Sequence, residues 1–148
     1  MKIAKLLIIA AILPMFGCNT GKQMEIKDAC SQSNGTRVIL QGYLSLPKTI
    51  DTITLKQGSN VMALGNQIFL MTKTDATGDA VKVTIWTTTN KERNKMKPLP
   101  SGYSWNDLVV YTDKGDEVKA GKLLKLTGDV RPDEKTGCEV RVTKIETP

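Results

Sequence analysis

The chain has 148 residues and a formal net charge of +6, and 40% of its residues are hydrophobic. This length suits one domain, and the apolar content is enough for a core, which excludes a chain that is disordered throughout. The sequence contains no histidine, which excludes Ser-His-Asp triads, Cys-His dyads, histidine-based zinc sites and histidine haem ligation. We therefore expect a protein that is not an enzyme and that holds no metal and no cofactor.

An apolar stretch near the start of the chain ends at a glycine and a cysteine. Lys2 and Lys5 give this segment a basic start, and residues 6–16 form a continuous apolar run before Gly17 and Cys18. The run has the length of a signal-peptide core and is too short to span a bilayer comfortably. Residues 1–17 are therefore predicted to be a signal peptide.

The stretch "LPMFGC" resembles the end of a bacterial lipoprotein signal. Gly17 and Cys18 match the family's pattern, whereas Met15 and Phe16 depart from it. The resemblance implies attachment of diacylglycerol to the Cys18 thiol and cleavage between Gly17 and Cys18. The fatty-acyl chains that Cys18 then carries, such as palmitate, would anchor the protein to a membrane. Asn19 implies, by the same resemblance, an outer-membrane position facing the periplasm. An ordinary cleaved secretory signal and an uncleaved anchor remain alternatives.

The segment after the predicted cleavage position is polar. Residues 18–35 show no sustained period and are predicted to be the lipidated N-terminus and a tether. Beyond Cys18 the chain has two further cysteines, Cys30 and Cys138. Because exported proteins mature in an oxidising compartment, we expect these two to form a disulfide bond. Two buried free thiols are the alternative.

Five later segments show the alternation or the short apolar runs that are typical of β-strands. They are residues 36–47, 66–74, 81–87, 122–130 and 138–146. In residues 81–87 the alternation predicts Val81, Val83 and Ile85 to point inward and Lys82, Thr84 and Trp86 to point outward. Residues 59–66 are expected to form one helical turn at most, and residues 107–112 a short extra strand. Because no segment has the period of a long amphipathic helix, the sequence predicts an all-β fold.

Two pairs of these segments resemble parts of an OB-fold. The stretch "VKAGKLLKLTGDVRP" followed by "CEVRVTKIE" resembles the end of that fold, and "IFLMTKTDATGDAVKVTIW" resembles its central hairpin. The chain is in this respect similar to OB-fold proteins of the tRNA-anticodon-binding-like type. The resemblance implies a small five-stranded Greek-key barrel over residues 36–148, in which Gly42 permits a bend. Residues 88–106 stand where the family often carries a helix.

The resemblance also implies a ligand-binding face. OB-folds bind partners on the outer face of their central strands, using aromatic and basic side chains. The side chains expected to point outward on this face are those of Tyr43, Lys82, Trp86, Lys125 and Arg141. Trp86 is either exposed to a ligand or covered by the 88–106 loop. The basic residues of 91–97 either contact phosphates or lie in a solvated loop, and the aromatic residues of 102–105 form either a contact or a lid.

Together these features predict a membrane-anchored envelope lipoprotein. Its OB-fold domain is expected to be a non-catalytic binding module for a protein or a cell-envelope component. A nucleic-acid-binding OB-fold protein is one alternative, although it rests on analogy of fold and the predicted signal directs the domain away from nucleic acid. A periplasmic inhibitor or immunity lipoprotein is the other alternative.

Overall fold

The computed structural model describes residues 21–75 and 77–148, and these residues form a mostly β structure. The prediction of an all-β fold is therefore confirmed. The predicted signal peptide, its cleavage position at Gly17 and the predicted lipidation position at Cys18 lie outside the described residues. Across the described ranges, no helix has the length and apolar character needed to cross a membrane.

The described residues form ten strands and two short 3-10 helices. The strands are β1 (Lys22–Gln23), β2 (Arg37–Ser45), β3 (Asp51–Gln57), β4 (Asn60–Met71), β5 (Ala80–Trp86), β6 (Lys95–Met96), β7 (Val109–Tyr111), β8 (Glu117–Lys119), β9 (Leu123–Asp133) and β10 (Gly137–Glu146). The 3-10 helices cover Ile26–Ser31 and Trp105–Asp107.

The strands form a seven-stranded sheet and a three-stranded sheet. The larger sheet has the order β1-β2-β9-β10-β5-β4-β3, with β2 also paired to β4, and the smaller has the order β6-β7-β8. Strand β5 runs parallel to β10, and β1 runs parallel to β2. The prediction of five strands is corrected here. All five predicted segments contain strands, but β1 and β3 join them in the larger sheet.

The segment 59–66, predicted to hold one helical turn at most, is instead part of strand β4. Gly58 adopts a positive φ of 61° in the turn that precedes it, a conformation that glycine accepts without steric cost. The chain then folds back, and Asn60 to Gln67 pair with β3. The local sequence did not predict a strand here. The strand conformation is stabilised by the backbone hydrogen bonds of the pairing with β3.

The core lies between the inward faces of the long strands. Its largest fully buried side chains in these strands are Val38, Leu40, Ile68, Leu70, Val83, Ile85, Leu126, Val140 and Ile145. The predicted inward positions Val81, Val83 and Ile85 of β5 are all buried.

The first 3-10 helix covers one end of these strands. Ile26 and Ala29 are buried, although they belong to the segment predicted as a polar tether. A Cβ atom added to Gly42 would lie 2.8 Å from Ile26 Cδ1 and 2.5 Å from the Met71 carbonyl oxygen, so only glycine permits this approach. Residues 21–35 therefore lie against the strands instead of away from them.

The disulfide bond fixes this helix to the last strand. Cys30 of the helix is bonded to Cys138 of β10, with the two Cα atoms 5.4 Å apart. The predicted disulfide is therefore confirmed. It joins two positions that are 108 residues apart in the sequence.

The small sheet covers the other end of the strands, and residues 88–106 contribute its strand β6. Leu108, Val110 and Val118 line one small cavity together with Leu44 and Leu124 of the larger sheet. The predicted extra strand at 107–112 corresponds to β7. The sheet is held to β10 by two hydrogen bonds: the Ile145 N–H donates to Asn94 Oδ1 at 2.8 Å, and the Asp113 N–H donates to the Ile145 carbonyl at 2.7 Å.

Candidate functional site

Lys82 is buried in an ion pair. Its side chain is only 6% exposed, and Nζ donates to both carboxylate oxygens of Asp133, at 3.0 and 3.1 Å. Burial acts to raise the pKa of Asp133, but hydrogen bonds from Thr136 and Lys82 outweigh it and lower that pKa to about 2. The expectation that Lys82 is free to meet a ligand is corrected, because its charge is neutralised within the fold.

Arg141 belongs to a second polar cluster, centred on the buried Glu139. The Glu139 carboxylate accepts hydrogen bonds from Thr84 Oγ1 at 2.6 Å, Gln67 Nε2 at 2.7 Å and Arg141 Nε at 2.8 Å. Burial acts to raise the pKa of Glu139, but these hydrogen bonds prevail and the pKa lies below its ordinary value. Arg141 itself remains exposed. These three donors satisfy a carboxylate that would otherwise be costly to bury.

Trp86 packs across its neighbouring strand. It is paired with Gly65 of β4, and a Cβ atom added to Gly65 would lie 3.0 Å from the Trp86 ring. The indole therefore covers the space that a larger residue at position 65 would fill, and Trp86 is partly buried.

Tyr43 and Lys125 lie on a different part of the sheet from Lys82, Trp86 and Arg141. Tyr43 is paired with Leu123 across β2 and β9, and Lys125 Nζ lies 3.3 Å from a carboxylate oxygen of Glu146. Both side chains are partly buried. The five predicted residues thus do not converge on one pocket.

An open cleft of about 490 Å³ lies between the β3–β4 hairpin and the loop at residues 98–103. Its lining residues are Lys48, Thr49, Ile50, Thr52, Leu64, Asn66, Thr87, Pro98, Leu99, Pro100, Ser101, Gly102 and Tyr103. The loop at residues 98–103 forms one wall of the cleft. It includes Tyr103, which belongs to the aromatic segment 102–105 noted in the sequence. The opposite wall was missed, because residues 59–66 gave no strand signal and β3 is too exposed to show an apolar alternation.

Hydrogen bonds hold both walls of the cleft in place. The Tyr103 hydroxyl donates to the Pro47 carbonyl at 2.8 Å, which ties the 98–103 loop to the chain that leads into β3. The Thr87 N–H and hydroxyl donate to the Leu64 carbonyl at 2.8 and 3.0 Å. The cleft is thus formed before any ligand arrives, which lowers the entropic cost of binding.

The loop beyond Tyr103 is fixed by a short helical turn. The Asp107 carboxylate accepts hydrogen bonds from the Ser104 N–H at 2.7 Å and from the Ser104 hydroxyl at 2.8 Å, and these bonds lower the pKa of Asp107. A second cleft of about 470 Å³ lies beside this turn, lined by Leu46, Pro47, Tyr103 and Trp105 among others. Lys48, Gly102 and Tyr103 line both clefts.

The cleft has a mixed polar and apolar lining, and exposed apolar side chains lie on the hairpin beside it. Ile50, Leu64, Pro98 and Leu99 are among its lining residues, and Lys48 is the only charged one. The hairpin beside it has four large apolar side chains that are between 45% and 59% exposed: Leu55, Val61, Met62 and Leu64. Leu64 lies on the cleft side of the hairpin and Leu55 on its opposite face. Exposed large apolar side chains that cluster on one hairpin are typical of surfaces that bind partners.

The basic segment 91–97 lies outside both clefts. Lys95 forms an ion pair with Glu92, while Arg93 and Lys97 are exposed. Within residues 21–75 and 77–148, no group of three or more acidic or cysteine side chains is placed to hold a metal ion. No protein-family model matches the chain, and no curated protein matches it.

Proposed function

We propose that this chain is a lipid-anchored envelope protein with a non-catalytic binding module of the OB-fold type. Its ligand is an apolar segment of a protein or of another cell-envelope component. The observation that carries the proposal is the cleft whose mixed lining contains Ile50, Leu64 and Leu99, together with the exposed apolar side chains of the hairpin beside it. A soluble surface that exposes such side chains without a partner is disfavoured by their contact with water.

The strand pairings support an OB-fold barrel. Strands β2, β9, β10, β5 and β4 pair in this order, and β4 pairs again with β2 through Tyr43 to Ser45. An OB-fold is a five-stranded Greek-key barrel that binds ligands beside the loop between its first and second strands. In this chain, β3 lies in the corresponding connection, between β2 and β4. The cleft is therefore next to a loop that serves binding in this fold.

Two observations support a lipid-anchored envelope protein. The stretch at residues 13–18 resembles a lipoprotein signal, and the Cys30–Cys138 disulfide is typical of proteins that mature outside the cytosol. Strand β1 begins at Lys22, four residues after Cys18. Four residues span at most about 14 Å, so an acylated Cys18 would hold the domain close to the membrane surface.

The charges of the cleft and of the predicted binding face favour an uncharged ligand over nucleic acid. Nucleic-acid affinity depends on free cationic side chains that neutralise phosphates. Lys82, Lys125 and Arg141 each pair with a carboxylate of the same chain, and the cleft contributes only Lys48.

Site-specific photo-cross-linking in intact cells tests the binding site. A photoreactive amino acid at Ser101, in the cleft wall, is expected to give a discrete cross-linked product. The same amino acid at Lys114, an exposed position that lines neither cleft, is the control. Leu64→Asp is expected to abolish the Ser101 product. An apolar ligand would have to displace the water that hydrates the new carboxylate, and it offers no hydrogen bonds in return.

The outcome at Ser101 decides the proposal. A product at Ser101 that Lys114 does not give, and that Leu64→Asp removes, supports binding in the cleft. No product at Ser101, or the same products at both positions, would contradict it. Leu64 is 45% exposed, so its replacement is expected to leave the fold intact, which circular dichroism checks.

A further inference from the structure

Strand β3 forms the free edge of the larger sheet. It is the last strand in the order and pairs only with β4 among the described residues. All of its residues except Ile53 are exposed. A free edge presents backbone N–H and C=O groups that another strand can pair with, and natural proteins usually block such edges with charge, proline or covering segments. Residues 51–57 contain no proline, and Asp51 and Lys56 are their only charged residues.

We propose that β3 pairs antiparallel with β3 of a second copy of this chain, about a two-fold axis at Thr54. A two-fold axis makes the interface self-complementary, so each contact occurs twice. In this register, Ile53 faces Leu55 of the second copy, and Leu55 faces Ile53 of the second copy. Apolar side chains therefore oppose apolar side chains on one face of the joined sheet.

The charged ends of β3 are compatible with the same register. Asp51 faces Gln57 of the second copy, and Lys56 faces Thr52 of the second copy. Like charges directly opposite each other would destabilise the pairing, and this register contains none. An axis at Leu55 would also avoid like-charge pairs, but it would place Ile53 opposite a glutamine and Thr54 opposite a lysine, so the apolar side chains would no longer face each other.

The pairing would also extend cross-strand rows of residues from one copy into the other. Trp86 is paired with Gly65, and Gly65 is paired with Ile53. In the dimer this row continues to Leu55 and Ala63 of the second copy, because Leu55 is paired with Ala63. Two such rows cross the interface, and they cover part of the apolar surface that the isolated hairpin exposes.

The pairing of one strand of seven residues is a small interface, so it is weak between freely diffusing molecules. Two copies held on one membrane meet at a much higher effective concentration. This enhancement depends on the proposed anchor, whereas the register depends only on β3. The cleft residues Thr52, Leu64 and Asn66 lie on the face of the hairpin opposite to that of Ile53 and Leu55. The proposed pairing uses the backbone edge of β3.

Disulfide cross-linking of the full chain in isolated membranes tests the register. Thr54→Cys places two thiols at the axis, where opposite Cβ atoms lie about 5 Å apart. Gln57→Cys, on the same exposed strand, is the matched control, because the two introduced cysteines would be six residues out of register and about 20 Å apart. Mild oxidation and non-reducing electrophoresis measure the dimer, with the unmodified chain as the background for its native cysteines.

The expected result is a dimer band for Thr54→Cys at least fivefold stronger than that for Gln57→Cys. A dimer band no stronger than background for Thr54→Cys, or equal bands for both variants, would overturn the proposal. Thr54→Asp brings two carboxylates together at the axis, and it is expected to abolish cross-linking of the full chain by a bifunctional amine reagent. Thr54→Asn, of similar shape but neutral, is expected to retain it, and equal loss in both variants would also overturn the proposal.

Discussion

Replacing both Cys30 and Cys138 with alanine is expected to lower the free energy of unfolding by about 4 kcal/mol. The bond joins positions 108 residues apart, so it removes much conformational freedom from the unfolded chain. Its loss also frees the 3-10 helix that carries the buried Ile26 and Ala29. Urea unfolding of the oxidised protein and of the double variant, followed by tryptophan fluorescence, measures the difference.

Reducing agent provides the control for this prediction. The unsubstituted protein is expected to unfold at a lower urea concentration when it is reduced, whereas the double variant is expected to be insensitive to the reagent. Unfolding of the variant at the same urea concentration as the oxidised protein would show that the disulfide does not contribute to stability.

Asp133→Asn is expected to lower the free energy of unfolding by about 2–3 kcal/mol. The substitution leaves the Lys82 ammonium buried without its carboxylate. It also weakens the turn before β10, because Asp133 accepts hydrogen bonds from the N–H groups of Lys135 and Thr136. Glu134→Gln is the matched control, since Glu134 is exposed in the same turn and its replacement is expected to change the free energy by less than about 0.5 kcal/mol.

The stabilising effect of Asp133 is expected to depend on pH. Its pKa is about 2 in the folded protein and about 3.9 in an unfolded chain. A carboxylate with a lowered pKa stabilises the fold fully above the unfolded pKa, and this contribution is lost as the pH falls through the folded pKa. The stability difference between the unsubstituted protein and Asp133→Asn should therefore shrink from about pH 4 to pH 2. A difference that stays constant across this range would contradict the assignment.

The strand pattern of the sequence predicted much of the fold. The alternation in residues 81–87 correctly placed Val81, Val83 and Ile85 in the core, because successive side chains of a strand point to opposite faces. It did not show that the other face of β5 is covered as well, so that Lys82 and Thr84 are also buried. Cysteine counting identified the disulfide before any geometry was known. Both predictions depend on signals that are local or that follow from a simple count.

The features that the sequence did not predict depend on contacts between distant residues. Lys82 is buried because Asp133, 51 positions later, lies beside it, and no local pattern shows that pairing. Ile26 and Ala29 are isolated apolar residues in a polar segment, and their burial follows from the close approach of Ile26 to Gly42. Strand β3 is exposed on nearly every residue, so it lacks the alternation that identifies a half-buried strand.

The candidate site was predicted only in part for the same reason. Tyr103 was singled out by its aromatic neighbourhood, but Ile50, Leu64 and Asn66 become a binding wall only when β3 and β4 pair. On the face predicted from the OB-fold resemblance, Lys82 and Arg141 form ion pairs within the chain.

The intact mass of the protein extracted from membranes tests most directly the proposal that a lipid anchor is attached at Cys18. The predicted species begins at Cys18, carries the added mass of acyl chains, and gains the mass of two hydrogen atoms when the Cys30–Cys138 bond is reduced. A full-length chain without acyl groups would contradict the anchor and, with it, the assignment of this binding module to the cell envelope.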